Sequence, residues 1–331
     1  MIHSLYYASD GVVRTDLPPE EFAGALQDGA GLLWVDFSAT PAETDEPILR
    51  GVFGFHPLAV DDALRESHVP KVDDWGQYLY LVLHSVVYDH DEENGAHVDT
   101  PELDLFVGPN YLVTHHDQPL APVDRVWSAI QRDERYRRSG VEYILYLLAD
   151  ELVASYMPVV EEMDDAIDHI EDEVFEQTGP KMLARIFVLK RSLLRLRRTI
   201  APQREVLNKL ARDDYAVINA KSRIFFRDVY DHTVRLYDIT ESLRDLVSGV
   251  LDTYLSVINN RMNEIMKTLT TITTLFMPIS FVASFFGMNF FQPVSEPLKN
   301  WTTNPAFLLT MILMIGLPVA MYMWMRRRAW T

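Results

Sequence analysis

The sequence contains no cysteine among its 331 residues. Disulfides and thiolate metal sites are therefore excluded, and the bulk of the chain suits a reducing cytosol. A basic surface is also missing. The formal net charge is −18, so the electrostatic footprint of a DNA- or RNA-binding protein is absent and nucleic acid is not an expected partner. The stretch from Met1 to Glu21 lacks the basic-then-apolar pattern of a secretory signal. Gly-rich phosphate loops, nucleophile elbows and well-placed pairs of catalytic carboxylates are lacking too. No enzymatic activity and no organic cofactor are expected.

What the chain does have is a division of charge. Residues 261–331 carry six basic side chains against two acidic ones, a net +4, which leaves −22 on residues 1–260. An acidic body of this size suits solubility or the attraction of metal cations. The basic end holds two apolar runs, one starting after Lys267 and ending at Gly287-Met288-Asn289, the other from Ala306 to Trp324. Each is about 20 residues, enough for a helix to cross a hydrocarbon core of roughly 30 Å. Arg261 and Lys267 precede the first run and Arg326-Arg327-Arg328 follow the second. The positive-inside rule then places both termini in the cytoplasm and the short link outside the cell membrane.

The fold expected is an α+β cytoplasmic domain over residues 1–140, with strands at Leu32 to Phe37 and Leu79 to Val87. A hairpin from Glu102 to His115 turns at Gly108-Pro109-Asn110, and a helix spans Pro57 to Glu66. An antiparallel charged helix pair follows over 141–212: an acidic helix from Val141 to Gln177, then a basic one from Lys181 to Leu210, with opposite charges facing. A stalk helix over 213–267 continues into a first membrane helix over 268–289. An external loop (290–305), a second membrane helix (306–325) and a basic tail (326–331) complete the chain. Run together, stalk and first span make one rod on the order of 115 Å long at 1.5 Å per residue.

The first span carries a polar stripe at spacings of three and four: Asn263, Met266, Thr270, Thr273, Met277, Ser280 and Ser284. Small hydroxyl residues in a membrane helix can serve tight helix packing, and they can equally line water. Two spans cannot enclose a channel, so a pore requires a ring of copies in which each position becomes a circle of identical side chains. Uncharged hydroxyls and amides poorly replace the ligands of a bare divalent ion but hydrogen-bond well to its water shell. Mg²⁺ dehydrates reluctantly, so such a conduit suits the hydrated ion.

Phe286-Gly287-Met288-Asn289-Phe290 between two C-terminal spans resembles the signature of CorA-type magnesium and cobalt channels. Further resemblance lies in Phe226 to His232, in Gly54-Phe55-His56-Pro57-Leu58 with Asp61-Asp62, and in Asn263 to Lys267. The resemblance implies a funnel-shaped homopentamer in the cell inner membrane that takes up Mg²⁺ along the membrane potential. Gly287, Met288 and Asn289 would form the selectivity filter. The family's conduction path maps onto Asn263, Met266, Leu269, Thr273, Met277, Ser280 and Ser284; it points to Leu269 where the stripe chose Thr270. Regulatory Mg²⁺ is implied between subunits at Asp62 and Asp228, with Asp61 and Asp150 as partners at a second site, closing the channel when internal Mg²⁺ is high. The chain departs from the family in its external link, where the acidic residue is displaced to Glu296, expected to draw cations to the mouth. Phe286 stands where Tyr is more usual.

Two alternatives follow from the residues: a Co²⁺, Ni²⁺ or Zn²⁺ transporter on the same scaffold, and a membrane-anchored structural or sensory protein whose stripe only packs helices. His115-His116-Asp117 invites a zinc site, but ordinary surface or strand histidines fit its spacing better.

Overall fold

The computed structural model describes residues 1–65, 67–91, 95–176, 179–288 and 304–327. The chain divides into two units, Met1–Asp252 and Thr253–Thr331.

Nine strands and ten helices are described. The strands are β1 Ile2–Tyr7, β2 Val13–Thr15, β3 Leu32–Ser38, β4 Lys71–Asp74, β5 Leu79–His84, β6 Val87–Asp91, β7 Gly95–Asp99, β8 Glu102–Val107 and β9 Tyr111–His116. The helices of the first domain are α1 Pro19–Gln27, α2 Ala42–Gly51, α3 Pro57–Arg65, α4 Ala121–Arg132 and α5 Glu134–Arg138. The long helices are α6 Val141–Ala154, α7 Tyr156–Glu173, α8 Pro180–Arg212, α9 Arg223–Gly287 and α10 Asn304–Arg327.

Seven strands pair in the order β2-β1-β3-β9-β8-β5-β4, while β6 and β7 form a separate ribbon. Only β3 and β9 run parallel in the seven-stranded sheet. The sheet is covered on both faces, so its central strands read as apolar runs rather than alternating ones: β5, Leu79 to His84, is buried at every position. One face packs Val35, Phe37, Tyr80 and Phe106 against Phe22 of α1, Leu49 of α2 and Val60 of α3. The other carries α6, which contacts β5, β8 and β9, with α4 beside it. The expected β8–β9 hairpin is present, closed by the Gly108 N–H donating to Tyr111 O.

Three expectations are corrected. The acidic helix is not continuous: α6 and α7 part at Ser155. Pro158 has no N–H to offer the carbonyl of Ala154, and its ring crowds that carbonyl, so the helical ladder is interrupted there. The stalk begins at Arg223, not Asp213. Asp213, Asp214, Asn219 and Ser222 fall between the helices, and such side chains compete with the helical ladder. Asn219 Oδ1 accepts from Lys221 N, and the Glu142 carboxylate accepts from Asn219 N and Ser222 Oγ. The resulting helix has 65 residues, on the order of 95 Å. The charged pair is also less direct than expected. Arg185 meets Glu173 of α7, but Arg197 pairs with Glu241 of α9 and Arg195 with Asp99 of β7.

Val141–Glu173 is apolar enough to cross a membrane, yet half of its apolar window is buried inside the protein. Ile144, Leu145, Leu148 and Leu152 of α6 are core residues. By contrast, none of the apolar window is buried in Arg223–Phe285 or in Phe307–Arg327. Phe276, Phe281, Leu308 and Ile315 are more than 60% exposed. Exposed apolar surface on that scale requires a cover other than water, and lipid provides it.

Candidate functional site

Two places carry chemistry. The first is the face of α9 that the sequence singles out. Over residues 268–287, within the second unit, α9 is partly shielded at Thr271, Thr274, Leu275, Pro278, Ile279 and Val282. On α10 the matching set is Thr310, Met314, Pro318, Met321 and Met325. Both sets recur every three or four residues, as a helix shielded along one side requires. Asn263, Met266, Leu269, Thr270, Thr273, Met277, Ser280 and Ser284 are all exposed. At 3.6 residues per turn their mean direction lies about 150° around α9 from the shielded strip. Whatever shields that strip within one chain therefore does not account for the polar stripe. Leu269 and Thr270 fall on its two flanks, and both are open.

Hydroxyl geometry adds detail. Thr273 Oγ1 donates to Leu269 O at 2.9 Å. A hydroxyl has one donor and two lone pairs, so Thr273 presents acceptors outward. Gly287 ends α9 and Met288 follows it, both exposed. Asn289 and Glu296 lie outside the described residues.

The second place is a set of carboxylates in Met1–Asp252. Asp61 and Asp62, on α3, are already engaged. Asp61 Oδ1 accepts from Arg50 at 3.0 Å and from Arg65 at 2.6 Å. Asp62 pairs with Lys71, with His68 Nε2 at 3.7 Å. Burial acts to lower the Lys71 ammonium, but the Asp62 and Asp73 carboxylates outweigh it and hold it above its usual value. Asp150 of α6 lies within electrostatic range of Asp228 and His232 on α9. Burial chiefly, and then Asp228, push the Asp150 carboxyl up, while His232 draws it down. The four sequence-selected carboxylates thus fall into two pairs, and among the described residues no group of three ligands in one chain could hold a metal. The counter-ions Arg50, Arg65 and Lys71 escaped the sequence reading, which included His232 in a matching stretch but gave it no role. The four-residue spacings Asp228–His232 and Asp61–Arg65 were the available signals.

The His115-His116 pair serves the core. Both are buried strand residues, not surface ones. His115 lies 3.7 Å from Asp104 and 3.8 Å from Asp45, and His116 Nε2 lies 3.3 Å from Asp36.

An α/β body followed by one very long helix and a second exposed apolar helix defines a membrane protein. The chain belongs to the CorA-like Mg²⁺ transporter family, whose model matches residues 29–327. It is 36% identical over 283 residues to the cobalt/magnesium transport protein CorA of Thermotoga maritima, covering 84% of this chain and 77% of that one. It is 33% identical over 298 residues to YfjQ of Bacillus subtilis, covering 90% and 89%. The solved structure of the CorA magnesium transporter from Methanocaldococcus jannaschii superposes with a TM-score of 0.81 at 22% identity, over 99% of this chain and 98% of that one. At that identity the likeness concerns the fold.

Proposed function

We propose that copies of this chain, five by the resemblance, assemble around α9 into a pore that conducts hydrated Mg²⁺ into the cytoplasm. The observation that carries the reading is the outward stripe of α9, open on the side away from its shielded strip. Gathered around an axis, its positions become rings. Thr273 would offer lone pairs to the outward-pointing hydrogens of the ion's water shell, and Met266 and Met277 would form narrow apolar rings able to stop flow by dewetting. Gly287, Met288 and Asn289 would form the filter at the outer mouth, with Glu296 concentrating cations nearby. Both termini would lie in the cytoplasm and the membrane would be the cell's inner one.

The driving force is large. A doubly charged ion gains about 4.6 kcal/mol per 100 mV of membrane potential, more than a thousandfold in concentration. Uptake on that gradient needs a brake. Asp62 and Asp228, with Asp61 and Asp150, would supply it where neighbouring copies meet: carboxylates that repel across an interface are joined by a divalent ion and separate when it leaves. At Asp62 an arriving ion competes with Lys71, which favours weak and releasable binding.

The test is flux into proteoliposomes containing purified protein, comparing Mg²⁺, Co²⁺ and Zn²⁺ with and without Mg²⁺ on the cytoplasmic side. Mg²⁺ should enter and should slow its own entry, and Asn289→Ala should abolish the flux. Undiminished Mg²⁺ flux in Asn289→Ala removes the filter role, and preference for Co²⁺ or Zn²⁺ supports the alternative cargo.

A further inference from the structure

A cavity of about 460 Å³ lies between α8 and the segments flanking β4, β5 and β8, wholly within Met1–Asp252. On a chain of net charge −18 its lining is unexpected. Three arginines, Arg191, Arg195 and Arg198, line it from α8 together with His68 and His84, and among the described residues no carboxylate is part of that wall. The spacing of four and three residues places the arginines along one helix face. Like charges so disposed repel unless something of opposite sign lies among them.

Among the described residues the counter-charge is incomplete. Arg195 Nη1 donates to Val98 O at 2.8 Å and lies 3.9 Å from Asp99, so it is anchored to β7. Arg191 Nε donates to the Phe187 carbonyl one turn back. Among the described residues, neither Arg191 nor Arg198 meets a carboxylate. A second observation is independent of these. The His84 side chain is only 7% exposed, yet its Nδ1 has no hydrogen-bond partner among the described residues. Its Nε2 faces Glu102 at 4.0 Å. A buried polar atom without a partner costs free energy unless a ligand or water completes it.

We infer that this cavity binds an organic polyphosphate of nucleotide size. Planar guanidinium groups match phosphate oxygens two at a time, which ammonium groups do not. Thr100 adds a hydroxyl to the wall. A lone phosphate would leave most of the volume empty, whereas the cavity falls in the range of small-molecule sites. Val69, Pro70 and Leu194 supply an apolar portion of wall against which a heterocyclic base can lie. The recognition rests on side chains rather than on a glycine-rich loop, so the sequence carries no phosphate motif. It is also separate from the transport reading and survives or fails without it.

The experiment is calorimetric titration of the full-length protein in detergent with ATP, pyrophosphate and adenosine, at constant free Mg²⁺ because the phosphates chelate it. ATP should bind saturably, pyrophosphate more weakly, and adenosine not at all. Arg191→Ala with Arg198→Ala should weaken ATP binding by about tenfold or more, since each removes a charge-assisted contact. Both side chains are exposed, so the unliganded melting temperature should hold; Arg191→Lys with Arg198→Lys, which keeps the charge and loses the fork, should give an intermediate affinity. No saturable ATP binding at millimolar concentration, equal binding of adenosine, or ATP affinity unchanged in both double variants would overturn the proposal.

Discussion

Glu102 opens β8 with one carboxylate oxygen accepting from Ser67 Oγ and from the His68 N–H, each at 2.9 Å. Burial chiefly, and then the neighbouring Asp104 carboxylate, push its carboxyl up from 4.5 to about 7. The sign follows from linkage. Between those values the folded chain holds a proton that the unfolded chain has lost, so this group's contribution to stability falls as pH rises through the window. The raised Asp104 carboxyl acts in the same sense, whereas His84, lowered by burial to about 4, favours the opposite trend on the acid side. Comparing a single-site variant with the parent cancels those shared contributions. Glu102→Gln should melt a few degrees higher than the parent at about pH 8, and the gap should close near pH 5. Scanning fluorimetry across that range checks it; a gap independent of pH would mean that Glu102 is not the titrating group.

At the scale of elements, one periodicity divides α9 into two strips. Its shielded strip uses Leu275, Ile279 and Val282, and its open strip uses Thr273, Ser280 and Ser284. Thr273→Val keeps the shape of the side chain and removes both the hydrogen bond to Leu269 O and the outward lone pairs. A β-branched residue replaces another, so the helix should persist. Mg²⁺ flux should fall by about fivefold, the worth of one hydrogen bond of roughly 1 kcal/mol to the passing water shell. Thr268 makes the same bond back to Glu264 O but lies off the stripe. Thr268→Val should leave flux unchanged, and equal losses in the two variants would show a helix effect rather than a pore effect.

For the whole molecule, the acidic body and the apolar end answer to different surroundings, and one chain completes neither site. Among the described residues a single copy brings no three metal ligands together. The carboxylates remain in two pairs, one held by Arg50, Arg65 and Lys71, the other eased by His232. The regulatory site proposed above therefore needs carboxylates from more than one copy. Asp62→Asn with Asp228→Asn keeps hydrogen-bonding capacity for Lys71 and removes the charge that a cation would bridge. The internal Mg²⁺ concentration for half-inhibition should rise by about tenfold or more, within the usual range of coupling between sites. An unchanged inhibition curve in proteoliposomes would exclude both carboxylates from the brake.

Length, charge and spacing by themselves determined a great deal here. The two apolar runs, the β8–β9 hairpin and the outward stripe of α9 all depend on short-range periodicity, which a linear chain displays openly. The resemblance around Gly287-Met288-Asn289 needed only contiguous residues. Tertiary structure decided what depends on partners distant in the chain. It showed that Val141–Glu173, apolar enough for a membrane, is half buried within the protein. It showed that Asp61 and Asp62 already have cationic partners, that the basic face of α8 turns partly to β7 and α9, and that three arginines share a cavity with a buried histidine. Burial and counter-charge are properties of what folds against a residue, and no local pattern encodes them.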